Sequence, residues 1–324
     1  MRDVRLVPAA PSSPNLAAPR LLDAAAGYIE AARAPNTHRA YATQWRGFCQ
    51  WCRDNHCASL PADPATLALF LTHRAQQGRK VATLGLALSA IRAAHRDAAF
   101  ADPAANPAVR KVWEGIRRKH GTAQRRATPL TADDVRAVVA SLPAGPLRSL
   151  RDRALLLVGF AGALRRSELV ALDVSDVAFD LARGLVVRVR RSKTDQTGAG
   201  ADIAIPYGSH AEVCPVRALR AWVDAAPGAT GPLFRSINRH GSLGGRLDGR
   251  DVSRIVKQAA LHAGIEPRQV SGHSLRAGLA TTAALAGKSD RAIMKQGRWR
   301  SRTMMDRYVR MADAWRDNAA AGLL

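Results

Sequence analysis

Residues 185–206 read LVVRVRRSKTDQTGAGADIAIP, and this stretch decides what kind of fold the chain can adopt. Leu185 to Ser192 alternates apolar and basic side chains and is rich in valine, the period-two pattern of a half-buried strand. Lys193 to Gly200 is polar and carries two glycines, so it reads as a reversal. Ala201 to Pro206 alternates again. Together they predict a small antiparallel sheet within residues 177–206. Aromatic residues make up only 5% of the chain and alanine is abundant, which favours helix elsewhere. The predicted fold class is therefore mainly α with a small antiparallel β-sheet, α+β.

Helical signals run outward from the sheet in both directions. Upstream, the pattern predicts helices over about 20–33, from Asn36-Thr37 to about 54, from Asp63-Pro64 onward, over 81–100, and from Pro107 to near Gly121. Leu84, Leu88 and Ile91 share one face of the fourth; Val109, Val112, Trp113 and Ile116 share one face of the fifth. GTAQRRATP, residues 121–129, is polar and bounded by glycine and proline, as a linker should be. Thr131 then caps a new helix with Asp133 and Asp134 in its first turn. Further helices are expected over 131–141, 149–161, 215–225, 250–263, 273–286, 289–296, 301–311 and at the C-terminus. The predicted organisation is a disordered tail over 1–19, a helical domain over 20–120, the linker, and a second domain over 130–324.

Charge restricts the function classes. The chain carries 49 Lys+Arg against 26 Asp+Glu, a formal net charge of +23. Residues 1–128 hold 19 against 8 (+11) and residues 129–324 hold 30 against 18 (+12), so both domains are basic. A polyanionic partner follows, and two basic domains suit a clamp on duplex nucleic acid. Arg110, Lys111, Arg117, Arg118 and Lys119 crowd the polar face of the fifth helix, and Arg39 and Arg46 lie one helical face apart from the Trp/Phe stripe of the second. These seven are the candidate phosphate contacts.

Cys49, Cys52 and Cys57 cluster near His56, but Trp45, Phe48, Trp51 and Cys52 recur at helical spacing. The thiols read as small apolar groups of a core face, and no metal site is expected. The four cysteines demand no disulfide, so a reducing cytoplasm is the expected location. The N-terminus carries no apolar signal-peptide core, and no membrane span is expected.

Four short segments of the second domain carry chemistry. In GALRRSEL, residues 162–169, Gly162 ends an apolar helix, Arg165 falls at a turn, and Glu168 is near enough to orient it. Lys193 sits at the sheet reversal. In HSLR, His273 and Arg276 fall in the first turn of a helix, where two cation-capable groups oppose the helix dipole unless an anion binds there. In GRWRSRTMMDRYVR, residues 297–310, Trp299 occupies a turn and Tyr308 lies on the helix that Ser301 opens. Each segment alone reads as an ordinary corner, a solvated lysine or a packed tyrosine.

Jointly, Arg165 with Glu168, Lys193, His273-x-x-Arg276, Gly297-x-Trp299 and Tyr308 nine positions on resemble the active site of the tyrosine recombinase, or phage integrase, family. Trp299 stands where many members place a second histidine, a Cre-like variant. NTHRAYATQWRGFCQWC, residues 36–52, resembles the start of that family's helical core-binding domain. The resemblance implies a DNA phosphodiester substrate and a transesterification in which Tyr308 attacks phosphorus, leaving a 3′-phosphotyrosyl bond and a free 5′-hydroxyl. It implies that Arg165, Arg276 and Trp299 stabilise the transition state, that Lys193 is the general acid, and that Glu168 orients Arg165 or His273. His273 is either the proton acceptor for Tyr308 or an oxyanion donor. No cofactor or metal is implied. The implied partners are duplex DNA with paired inverted-repeat core sites and further copies of the chain, as a tetramer on DNA. The implied setting is the cytoplasm, in association with the nucleoid, for a protein encoded by a bacterium or a mobile element. The competing readings are a type IB topoisomerase-like enzyme and a catalytically idle DNA-binding protein on the same scaffold.

Overall fold

Helix caps and prolines set most of the element boundaries in the computed structural model, which describes residues 19–123, 127–192, 195, 198–226, 228, 230–306 and 308. The expected disordered tail lies outside these residues except for Pro19. Lys193, residues 124–126 of the expected linker and the C-terminal helix beyond Tyr308 also lie outside them. The chain divides into two compact units, residues 1–124 and 125–324. It is mainly helical with small antiparallel sheets.

The first unit is a helical bundle: α1 (Pro19–Ala31), α2 (Pro35–Asp54), α3 (Pro64–Gln76), α4 (Val81–Asp97) and α5 (Pro107–His120). Asp63 accepts the Ala65 N–H at 2.7 Å and Asn106 accepts the Ala108 N–H at 2.8 Å, each just ahead of a proline at the first helical position. The expected cap of α2 at Asn36-Thr37 is corrected: Ala34 is the capping residue and Pro35 begins the helix. Proline's fixed φ and missing N–H suit the first helical position, so the helix starts at Pro35, ahead of Asn36. Asn36 accepts from Arg39 Nη2 at 2.6 Å instead.

The core of this unit joins Trp45, Phe48 and Cys52 of α2 to Leu67, Phe70 and Leu71 of α3, Leu84 and Ile91 of α4, and Val109 and Ile116 of α5. Phe48 and Phe70 meet edge to face, 5.0 Å between centroids. Buried His95 accepts the Ala62 N–H at 2.8 Å and lies 2.8 Å from the Ile91 carbonyl, fixing the α2–α3 connection to α4. Burial, reinforced by the neighbouring Cys57 thiol, pushes the Cys52 thiol up to about 12, as expected of a packing cysteine.

The second unit contains α6 (Ala132–Ala140), α7 (Leu147–Ala161), α8 (Arg166–Ala171), strands β1 (Val177–Asp180), β2 (Gly184–Val189) and β3 (Ala201–Pro206), α9 (Pro215–Ala225), strands β4 (Arg235–Ile237) and β5 (Leu243–Arg246), α10 (Gly249–His262), α11 (Ser274–Leu285) and α12 (Asp290–Gly297). Residues 302–306 and 308 are helical. Strands β1, β2 and β3 form an antiparallel sheet in that order, with Val187 opposite Ile203 and Leu185 opposite Ile205. Leu185, Val187, Val189, Ile203 and Ile205 face the core, and Arg188 faces out. The β4–β5 hairpin was not anticipated, because its strands are three and four residues long and one holds two glycines.

Thr131 and Asp134 form a reciprocal cap at the start of α6. Helix α7 is the central post: Ala154 through Val158 are all buried, and it packs on α9 and α11. Trp222 of α9 donates its indole N–H to the Leu233 carbonyl at 2.8 Å, closing the loop into β4. The chain ahead of α6 lies against α11, where the Leu130 N–H donates to Ser274 O at 3.1 Å. Gly278 makes that approach possible, since a methyl there would collide with the Leu130 carbonyl.

Candidate active site

The end of α7 starts the site. Gly162 closes the helix and Ala163 follows with φ 46°, a left-handed turn that a β-carbon resists. The Ala163 carbonyl accepts from Arg276 Nη1 at 2.6 Å and from Arg298 Nη2 at 3.3 Å. Arg165 then caps α8, and Glu168, one turn in, is buried. One Glu168 oxygen accepts from Arg165 Nη1 at 2.5 Å; the other accepts the Arg165 backbone N–H at 3.0 Å and Arg298 Nη2 at 2.7 Å. Burial pushes the Glu168 carboxyl up, but Arg298, the Arg165 N–H and the Arg165 guanidinium outweigh it and hold it below the usual carboxylate range.

Helix α11 supplies the opposite wall. His273 caps it and is exposed, whereas Arg276, one turn along, is 1% exposed. Burial, then the nearby Arg165 and Arg298 guanidiniums, push Arg276 down to about 9 against the opposing pull of Glu168 and Tyr308. Among the described residues its Nη2 is buried with no hydrogen-bond partner. A buried cationic donor left open is costly unless an anion completes it. Trp299 lies over the Arg276 guanidinium, 4.3 Å from guanidinium carbon to ring centroid, in cation–π contact.

Tyr308 completes the wall. Its hydroxyl and Nε2 of His273 share a hydrogen bond of 2.6 Å, its ring lies 5.6 Å from that of Trp299, and its carbonyl accepts from Thr281 Oγ1 at 2.8 Å. Gly297 is required beneath Trp299, because any β-carbon there would collide with the indole. The structure thus brings Arg165, Glu168, His273, Arg276, Trp299 and Tyr308 together. A cavity lined by Ser192, Asp195, Gly200, Arg298 and Trp299 places the segments flanking Lys193 beside them. There Asp195 accepts the N–H groups of Gly198, Ala199 and Gly200 at 3.1, 3.1 and 2.8 Å.

Two features escaped the sequence. Glu168 was expected to orient Arg165 or His273; its second partner is Arg298, which no local pattern marks. Arg250, Arg254 and Lys257 form an exposed basic row on α10. The seven basic candidates of the first unit are all exposed, on α2 and α5. Arg39 donates to Asn36, and Arg110 to the Ala105 carbonyl.

Comparison with known proteins gives the arrangement its context. Residues 100–314 match the phage integrase family and residues 27–99 match the phage integrase N-terminal SAM-like domain. An integrase/recombinase xerD homolog of Selenomonas ruminantium is 38% identical over 90% of this chain and 86% of its own length. Recombinase cre of Escherichia phage P1 is 25% identical over 83% of this chain and 82% of its own. The Tn1549 transposon integrase in complex with transposon right end DNA shares the fold, with a TM-score of 0.61 at 16% identity over 89% of this chain and 95% of that one. A lambda integrase tetramer bound to a Holliday junction does so at 0.59, 20% identity, 87% and 74%. Matched to the family over two-thirds of its length and to a recombinase relative over nine-tenths, the chain belongs to the phage integrase family of tyrosine recombinases.

Proposed function

We propose that this recombinase cuts and rejoins duplex DNA at specific sites through a covalent bond to Tyr308. The observation that carries the reading is a hydroxyl beside a buried cationic donor: the Tyr308 hydroxyl is hydrogen-bonded to His273 while, among the described residues, Nη2 of the neighbouring Arg276 is buried without a hydrogen-bond partner. The Tyr308 oxygen attacks the scissile phosphorus, and its proton passes to His273 Nε2. The bond from phosphorus to the 5′-oxygen breaks, and Lys193 protonates that oxygen. Charge gathering on the non-bridging oxygens is met by Arg165 and Arg276, with Trp299 fixing the Arg276 plane and presenting its indole N–H to the same phosphate. The reverse attack by a 5′-hydroxyl of another strand reseals the backbone, so one ester replaces another.

Both units take part in this reading. The 20–120 domain grips the duplex through Arg39, Arg46, Arg110, Lys111, Arg117, Arg118 and Lys119, and the 130–324 domain cuts. In this reading the partners are duplex DNA with paired inverted-repeat core sites and further copies of the chain, as a tetramer on DNA, and the protein works in the cytoplasm at the nucleoid. Among the described residues no helix is long and apolar enough to cross a membrane. The test is a nicked suicide substrate drawn from DNA flanking the gene, resolved on a denaturing gel. A protein–DNA adduct with Tyr308 on a 3′-phosphate is expected; failure to form any adduct on DNA that the protein binds would overturn the reading.

A further inference from the structure

Arg298 occupies a position that suits glycine. It follows α12 with φ 54°, a left-handed backbone that costs energy in any residue bearing a β-carbon. Its guanidinium nevertheless turns inward and is 12% exposed. There it donates to the carbonyls of Gly162 at 3.2 Å, Gln296 at 3.1 Å and Ala163 at 3.3 Å, and to Glu168 Oε2 at 2.7 Å. Two of these acceptors also hold the other arginines. Glu168 accepts from Arg165, and the Ala163 carbonyl accepts from Arg276 at 2.6 Å.

We infer that Arg298 is a positioning residue, which through Glu168 and the Ala163 carbonyl holds Arg165 and Arg276 in their relative geometry and ties them to the segment bearing Trp299 and Tyr308. The inference rests on the reaction proposed above. Three guanidiniums, Arg165 from α8, Arg276 from α11 and Arg298 after α12, surround one carboxylate, and like charges at this range repel. Glu168 is the shared counter-charge that lets Arg165 and Arg298 approach, and Arg298 in turn gives Glu168 a second cationic partner. Without Arg298 the carboxylate keeps only Arg165, burial weighs more heavily, and protonation loosens its hold on the Arg165 guanidinium. The planar guanidinium matters because its two separate terminal nitrogens reach two carbonyls of the α7–α8 turn and a carboxylate at once, whereas the three donors of a lysine all diverge from one nitrogen.

The test uses the full-length chain and two variants, R298G and R298K. Glycine takes the left-handed backbone without strain, so R298G removes the guanidinium and leaves the turn. Single-turnover adduct formation on the suicide substrate is expected to fall roughly 100-fold in R298G, the scale of a displaced reacting geometry, with site affinity within about twofold of the parent. Lysine should be intermediate, and millimolar guanidinium ion should restore part of the R298G rate. In an E168Q background, R298G should lose little more. Independently of cleavage, 13C-glutamate labelling (the chain has five glutamates) should place the Glu168 carboxyl titration higher in R298G than in the parent. Parental rates in R298G, full additivity with E168Q, or an unmoved Glu168 titration would overturn the inference. A parent that forms no adduct refutes the proposed chemistry instead, and the Glu168 titration still decides the role of Arg298.

Discussion

The Tyr308 hydroxyl and Nε2 of His273 meet at 2.6 Å although 35 positions separate them in the chain. The contact also fixes the tyrosine ring, whose centroid lies 5.5 Å from the imidazole and 5.6 Å from Trp299. Tyr308→Phe keeps the ring packing and removes the oxygen. Stability should fall by about 1 kcal/mol, the worth of one hydrogen bond. Adduct formation should vanish while gel-shift affinity and its steep salt dependence persist. An adduct formed by the Phe variant would falsify Tyr308 as nucleophile and direct attention to Tyr207.

Glu168→Gln should destabilise the second unit by about 3–5 kcal/mol, since the amide leaves two buried guanidiniums short of a counter-charge. The parent's Glu168 titrates below its ordinary value, so its contribution to stability is complete above the ordinary glutamate range and is lost as pH falls through the depressed value. The gap between parent and E168Q in chemical denaturation should therefore be widest near neutrality and narrow as the solution is acidified below that range. A gap that is constant with pH would show that the ion pairs add nothing.

Cleavage should proceed in excess EDTA. Among the described residues, Glu168 has both oxygens engaged by Arg165 and Arg298, and the Asp195 carboxylate in the adjoining cavity accepts the N–H groups of Gly198, Ala199 and Gly200, while Arg165 and Arg276 carry positive charge at the site. Suicide-substrate turnover lost in EDTA and recovered with Mg²⁺ would contradict this mechanism.

Gly278→Ala should destabilise the second unit by about 2 kcal/mol or more, because the added methyl meets the Leu130 carbonyl and the backbone must shift. The same shift displaces Ser274 and Arg276 on α11, so cleavage should fall beyond the stability loss. Gly115→Ala in α5, where a methyl meets nothing, serves as the control and should leave stability equal or slightly raised. Thermal melts of the two variants side by side decide the matter.

Removing residues 313–324 should separate single-site binding from assembly. That stretch, DAWRDNAAAGLL, holds Trp315 and the apolar pair Leu323-Leu324, and in the proposed tetramer it docks on a neighbouring copy of the chain. Gel shifts on one core site should be near normal, and complexes joining two sites should be lost. Normal recombination by the truncated protein would refute a docking role for the segment.

Local signals in the sequence were legible because they are settled within a few residues. Asp63-Pro64, Asn106-Pro107 and Thr131 with Asp134 each satisfy a helix's first free N–H groups in place. The alternation of 185–189 and 201–205 likewise specifies which side chains face the core. The order Arg165, Lys193, His273, Arg276, Trp299, Tyr308 was readable as a family pattern. Pro35 overruling Asn36 and the short β4–β5 hairpin were not, since each depends on competition between weak local preferences.

The sequence by itself determined a basic, mainly helical chain with a small antiparallel sheet and an ordered series of candidate residues. Only the tertiary structure decided which of them touch. Glu168 pairs with Arg298 across 130 positions, and Arg276 reaches the Ala163 carbonyl across 113. Such contacts follow from how α7, α11 and the turn after α12 pack, and no local periodicity encodes them. A left-handed arginine at 298 is unfavourable locally and is held by buried acceptors supplied from a distant turn.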